Sequence, residues 1–333
     1  CRRRGMQKKL EDVAGRRRVL RALASGTAAW SLACLAPAAL ARASAGTTSG
    51  ASSGALTLDR LSDSVVLIRG AGGNVLALNS PAGRLLVDCG APEHSRELLS
   101  VLAALPGGKN IRTVFNTHWH WEHTGANELL HKAGADIIAH ENTRLWLGTE
   151  IVEEWQNRTY PPRPAEALPT HTFYYKSSRL MFGDEPIEYG YLGQAHTDGD
   201  IYVYLRGQNV LMVGDVVSVG SYPILDYCTG GWIVGMLDAT RKLLDMSNDQ
   251  TRIIPGTGPV QTRTDLQAQH DMLAAIRDKV WELMRKGLTA SEMIKAKASG
   301  SFDAKWGNPD LFITSAYRGF YGHIAEYLGK GVV

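Results

Sequence analysis

Cysteine is scarce in this chain. Only four occur in 333 residues, at positions 1, 34, 89 and 228, too few and too scattered for the disulfide framework on which small secreted domains depend. A long uninterrupted apolar run is also missing. The most apolar stretch, residues 22–40, is broken by Ser, Thr and Gly, and that polarity argues against a permanent membrane span. Beyond residue 45 no Lys or Arg cluster suggests a nucleic-acid-binding face. The whole chain has 36 Lys plus Arg against 33 Asp plus Glu; residues 1–45 hold 10 of the former and 2 of the latter, which leaves 26 against 31, a formal charge of −5. The basic balance therefore belongs to the first residues alone.

Those first residues have an order of their own. Nine Arg or Lys fall in residues 1–21, an Ala-rich apolar stretch follows, and Ala39-Leu40-Ala41 and Ala43-Ser44-Ala45 both fit a small-x-small cleavage site. Arg16-Arg17-Arg18-Val19-Leu20 resembles a twin-arginine export signal. Residues 1–45 are thus expected to be a signal peptide with Met6 as its initiator, 46–59 a Gly/Ser/Thr/Ala linker, 60–262 the main domain and 263–333 a helical extension. This order implies a periplasmic or secreted product with no stable membrane span once the signal is removed. Some 288 residues then remain, ample for a large core. Cys89 and Cys228 read as small buried residues, and a bond between them is left open.

The densest chemistry lies at residues 116–127, Asn-Thr-His-Trp-His-Trp-Glu-His-Thr-Gly-Ala-Asn, where His118, His120, Glu122 and His123 fall within six residues. A β-branched strand is predicted just before it at 111–115 and a short helix just after it at 128–132. Side chains two apart in an extended segment point the same way, so His118 and His120 can serve one ion, while Glu122 and His123 swing toward a neighbouring position as the chain curls. Neutral imidazole and carboxylate are usual zinc ligands. Trp119 and Trp121 alternate with the histidines and should pack into the core.

His118-x-His120-x-Glu122-His123 resembles the His-x-His-x-Asp-His signature of the metallo-β-lactamase fold, which includes zinc β-lactamases, glyoxalase II enzymes and lactonases. Further stretches are similar to the family's in the expected order: the hairpin ending at Asp88-Cys89-Gly90, the segment 193–200 carrying His196, and Val213-Gly214-Asp215. The resemblance implies a four-layer αββα sandwich, a first metal site of His118, His120 and His196, a second of Glu122 and His123, and Asp215 bridging the two. Two departures stand out. Glu122 replaces the usual Asp, and Thr257 replaces the usual last His in Pro255-Gly256-Thr257-Gly258-Pro259. A threonine hydroxyl is a poor ligand beside an imidazole, so one Zn²⁺ is expected to be firmly bound and the second site to be weak.

The other elements alternate in the same α/β sense. Strands are predicted at 65–68, 75–78, 85–87, 137–139, 180–183, 187–192, 201–205, 210–213 and 252–254, and helices at 94–105, 141–153, 264–286, 289–298 and 312–328. Residues 155–173, rich in proline, read as a long loop that walls the site, and His171 within it as an ordinary histidine. The aromatic C-terminal helices should pack on the main domain or build a homodimer contact. The expected chemistry is hydrolysis of an ester, thioester, lactone or amide, a β-lactam among them, by water activated on zinc, with Asp215 orienting it and Glu122 as proton shuttle. The partner is then a small-molecule substrate. The alternatives are an iron oxidoreductase of the persulfide dioxygenase type and a weakened metal-binding protein.

Overall fold

Two β-sheets face one another through alternating side chains. A computed structural model describes residues 56–107, 110–174 and 177–329, so residues 1–45, expected to be a signal peptide, and most of 46–59, expected to be a linker, lie outside the described residues. In the first sheet β1 (Thr57–Arg60), β2 (Val65–Ala71), β3 (Gly73–Ser80) and β4 (Gly83–Val87) pair antiparallel in succession. β5 (Ile111–Phe115) and β6 (Asp136–His140) then add in parallel. A separate hairpin follows, β7 (Ile151–Glu153) with β8 (Arg158–Tyr160), and β9 (His171–Phe173) completes the first sheet beside β6. The second sheet runs β10 (Ser178–Phe182), β11 (Glu185–Gly193), β12 (Asp200–Leu205) and β13 (Val210–Gly214), all antiparallel, closed by β14 (Arg252–Pro255) in parallel.

The period of two sorts the strand residues into layers. Val65 and Leu67 join Phe115, Ile201, Val203 and Met212 between the sheets. Their neighbours Val66 and Ile68 face outward with Leu98, Leu102 and Leu130, from the helices α1 (Ser95–Ala104), α2 (Trp121–Thr124) and α3 (Asn127–Lys132), of which α1 and α3 supply these leucines. After α4 (Glu141–Leu147), α5 (Ile233–Met246) and α6 (Arg263–Arg285) cover the outer face of the second sheet. α7 (Ala290–Lys295), α8 (Asp303–Trp306) and α9 (Asp310–Gly329) add Met293, Trp306 and Phe312 to the same cluster. The αββα sandwich expected from the sequence is the fold observed, with helices at its C-terminal end. α7 opens with a capping box in which Thr289 and Glu292 satisfy each other's backbone N–H groups, and Thr262 with Asp265 does the same for α6.

Two predicted elements differ. The helix expected over 141–153 stops at Leu147, where the chain turns at Gly148, and Ile151–Glu153 is strand. The segment 155–173 is not a plain loop: it supplies β8 and β9 with short helical turns between. β-branched residues paired across a hairpin override helical spacing there. Cys89 is buried and Cys228 half-buried, and both are free thiols. Among the described residues no helix is long and apolar enough to cross a membrane.

Candidate metal centre

β5 ends at Phe115 on the rim between the sheets, and the loop beyond it carries His118 and His120 before α2 begins. Asp88, at the end of β4, fixes that loop. Its carboxylate accepts Thr117 N and Thr117 Oγ1, both at 2.8 Å, and meets His123 Nδ1 at 2.9 Å. The same residue takes a left-handed φ of 61°, a conformation a non-glycine residue adopts only where its surroundings hold it.

His118, His120 and His196 come together as a triangle whose ring centroids are each 4.7 Å apart. His196 arrives from the β11–β12 turn, which Asp200 organises by accepting His196 N at 2.6 Å, Thr197 N at 2.9 Å and Thr197 Oγ1 at 2.8 Å. Asp215, at the end of β13, faces the triangle with Oδ2 3.9 Å from His118 Nε2 and 3.8 Å from His196 Nε2. Its other oxygen lies 3.5 Å from His123 Nε2. Glu122 is partly exposed, with Oε1 3.8 Å from His120 Nδ1, and it groups with His123 and Asp215. All six residues singled out from the sequence thus meet at one place.

Each imidazole is anchored at the nitrogen turned away from this centre. His118 Nδ1 meets Thr117 Oγ1 at 3.1 Å, His120 Nε2 meets Asp226 Oδ2 at 3.2 Å and His196 Nδ1 donates to Ile224 O at 2.9 Å. The nitrogens left facing inward are His118 Nε2, His120 Nδ1 and His196 Nε2, and His118 Nε2 and His123 Nε2 are buried with no hydrogen-bond partner. Buried ring nitrogens without partners are costly unless something completes them, and the donor atoms of His118, His120, His196 and Asp215 all lie within 4.8 Å of one another. Three imidazoles and a carboxylate form a donor set that fits a divalent metal ion.

The charges are unevenly shared. Burial, together with its histidine neighbours, holds His118 well below the usual histidine range, and burial also lowers His196. Burial pushes His120 down as well, but the Asp226 hydrogen bond and the nearby Glu122 charge outweigh it and raise the group to about 9. His123 is likewise carried well above its usual value, against burial, by Asp215 and Asp88. Asp215, which burial alone would raise, is held well below the carboxylate range by His123, His118 and His196. A cation entering this cluster displaces protons.

The loop bearing Thr257 lies against the same centre. Asn74 Nδ2 donates to Pro255 O at 2.8 Å and Gly258 O at 2.9 Å, and Asn74 N donates to Gly256 O at 2.7 Å. A Cβ on Gly256 would fall 1.8 Å from Asp215 Oδ1 and 2.8 Å from His123 Cε1, so only glycine fits. Thr257 itself is exposed and shares a small cavity with Asp215.

Trp119 is fully buried as expected, but its ring does not turn away from the histidines: it lies edge-on to His120 with centroids 4.5 Å apart, and Nε1 donates to Thr229 Oγ1 at 3.0 Å. Trp121 packs on Tyr160, which also meets Trp119. From the 155–173 segment the Trp155 ring comes within 6.5 Å of His120, and His171 sits on the surface beside Asp136. The sequence reading missed Asp226, whose carboxylate also takes Thr229 Oγ1, Cys228 N and Thr229 N. A lone Asp eleven residues beyond Asp215 carries no spacing signal. Beside Asp226 lies Glu153, fully buried with neither oxygen hydrogen-bonded and raised to about 8 by burial and the Asp226 charge.

Residues 68–258 match the family model of the metallo-beta-lactamase superfamily. Over 200 residues the chain is 25% identical to a type 2 metallo-beta-lactamase of Bacillus cereus, covering 60% of this chain and 72% of that one. It is 29% identical over 163 residues to a hydroxyacylglutathione hydrolase of Thermosynechococcus vestitus, 49% of this chain and 54% of that one. Among solved structures, the sec-alkylsulfatase Pisa1 from Pseudomonas sp. superposes with a TM-score of 0.63 at 20% identity, covering 82% of this chain and about half, 52%, of that chain.

Proposed function

The chain belongs to the metallo-beta-lactamase superfamily, and from that premise we propose that it is an exported, zinc-dependent hydrolase of an ester, thioester, lactone or amide. The observation that carries this reading is the anchoring of His118, His120 and His196 at their outer nitrogens, which leaves three inner nitrogens for one cation. His118, His120 and His196 would hold a zinc ion there, and the chemistry it would supply is Lewis acidity toward a carbonyl and toward water, whose pKa would fall to about 7.

The chain's own groups do the rest. Asp215, kept ionised by its histidine neighbours, accepts a hydrogen bond from the attacking water and orients it. Glu122, 35% exposed at its side chain, reaches solvent and site together, as a group must that takes a proton from water and returns it to the leaving group. Its extra methylene relative to Asp gives it that reach. With Thr257 exposed at the position where a histidine would complete a second site, Glu122 and His123 hold any further cation weakly.

Export rests on the order of residues 1–45, and its test is location of the processed chain in a fractionated host. The test of the site is metal content. Protein purified without added metal should carry about one zinc per chain, and Thr257→His should raise that toward two. Iron in place of zinc would move the reading to an oxidoreductase, and undiminished metal in a His118→Ala, His196→Ala double variant would remove the site.

A further inference from the structure

The cavity beside the metal centre has a volume of about 100 Å³ and is lined by Asp215, Thr257 and, from the loop that follows Asp215, Val217, Ser218, Ser221, Tyr222 and Ile224. Its lining offers hydroxyls, aliphatic carbons and one carboxylate, with no lysine or arginine. Such a cavity has room for about three water-sized groups. The lining holds no ion partner for a substrate carboxylate or sulfate, which would give up water there beside Asp215, whose own charge would already be set against a bound zinc.

The wall is also unusually well held, and by the C-terminal helices. Gln269 of α6, 1% exposed, donates from Nε2 to Val216 O at 2.7 Å and accepts Ser218 N on Oε1 at 2.9 Å. Tyr222 N donates to Trp306 O at 3.0 Å, its hydroxyl donates to Asp303 Oδ1 at 2.8 Å, and its ring stacks on Phe312 with centroids 5.0 Å apart. At its far end the same loop supplies Ile224 O to His196 Nδ1. A wall fixed at α6, α8 and α9 does not open readily for a longer chain.

We infer that this cavity is the subsite for the acyl part of a small uncharged ester or lactone, and that Gln269 is a positioning residue that sets its size. The inference rests on the hydrolase reading and narrows it. It sets the chain apart from enzymes whose substrates carry an anionic arm, as β-lactams, glutathione thioesters and alkyl sulfates all do.

Two esters of nearly equal shape, para-nitrophenyl valerate and mono-para-nitrophenyl succinate, separate the outcomes when assayed with the zinc-loaded full chain, the succinate's own closure to succinic anhydride with release of para-nitrophenol being measured without protein and subtracted. The expected result is kcat/KM at least about tenfold higher for the valerate, with para-nitrophenyl butyrate better still and the octanoate poor. Ser221→Arg should shift the ratio toward the succinate. Gln269→Ala should raise kcat/KM for the octanoate relative to the butyrate, mostly through KM. Tyr222→Phe, which loses only the Asp303 bond, should do the same more weakly and covers the case in which Gln269→Ala fails to fold. Saturation-transfer NMR gives a readout without turnover: pentanamide should bind the chain and succinamate should not. Equal or preferred hydrolysis of the succinate, or binding of succinamate, overturns the inference while leaving a hydrolase in place. No hydrolysis of any of these esters at full zinc occupancy overturns the hydrolase reading itself.

Discussion

His120 uses both ring nitrogens, Nδ1 turned to His196 Nε2 at 3.1 Å and Nε2 to Asp226 at 3.2 Å. A ligand histidine whose outer nitrogen meets a carboxylate is fixed in tautomer and orientation and made more basic. Asp226 is itself locked by Thr229 Oγ1 and two backbone N–H groups, so the orientation of His120 depends on the short turn 226–229. Asp226→Asn should weaken metal binding by about 10–100-fold while leaving His196 anchored to Ile224 O. Competition against a chromogenic chelator measures this, and an affinity within twofold of wild type would show that Asp226 serves only its own turn. The six residues at positions 118, 120, 122, 123, 196 and 215 were legible because ligand types at short spacing are rare. Asp226 and Asn74 were not, because each acts on a partner far away in sequence: the Asn74 bonds to the Thr257 loop span more than 180 residues.

Elements matter to the site through their ends. β4 ends just before Asp88, β5 just before the histidine loop, β13 just before Asp215 and β14 just before Gly256, so the rim between the sheets collects what the strands deliver. The start of α4 shows how such an end can be tested. His140 caps this helix, its Nδ1 accepting Asn142 N at 3.2 Å and its Nε2 meeting Tyr174 O at 3.2 Å. Only the neutral ring protonated at Nε2 satisfies both contacts, and burial lowers the group to about 4. The unfolded chain takes up that proton near pH 6.5 and the folded chain only near pH 4. Stability contributed by the neutral ring is therefore present above about pH 6.5 and falls as pH drops toward 4. His140→Asn keeps a cap acceptor and does not titrate, so its urea midpoint should fall less steeply than that of wild type over this window. Parallel slopes would mean that His140 does not titrate differently on folding. The misread helix at 141–153 has a physical cause at the same scale. The helical pattern runs through Leu145, Trp146 and Leu147 to the observed end of α4, and what stops it from continuing is Gly148 and the pairing of β7 with β8.

The molecule as a whole is asymmetric about its sheets. α1 and α3 cover the first sheet, whereas α5 and the C-terminal helices build a larger cluster on the second, running from Leu211 and Ile253 to Leu273, Ile276 and Phe320. Residues 263–323 are thus part of the core beneath the cavity wall. Leu273, fully buried in α6, tests this: Leu273→Ala should cost about 2–5 kcal/mol in urea unfolding, and less than about 1 kcal/mol would mean that α6 rests loosely on the sheet. The fold class was readable in the sequence because the short continuous apolar runs of β2 and β3, buried on both faces, and the helical spacing over 264–286 answer to backbone geometry alone, which every residue shares. Composition likewise established that the net positive balance of the chain comes from its first 45 residues. What the tertiary structure alone decided is which distant groups complete the local ones: Asp226 behind His120, Ile224 O behind His196, Asn74 beneath the Thr257 loop, and Gln269 behind the cavity wall. These are single hydrogen bonds between residues far apart in the chain. Spacing leaves no trace of such bonds, because what joins them is the packing of layers in space.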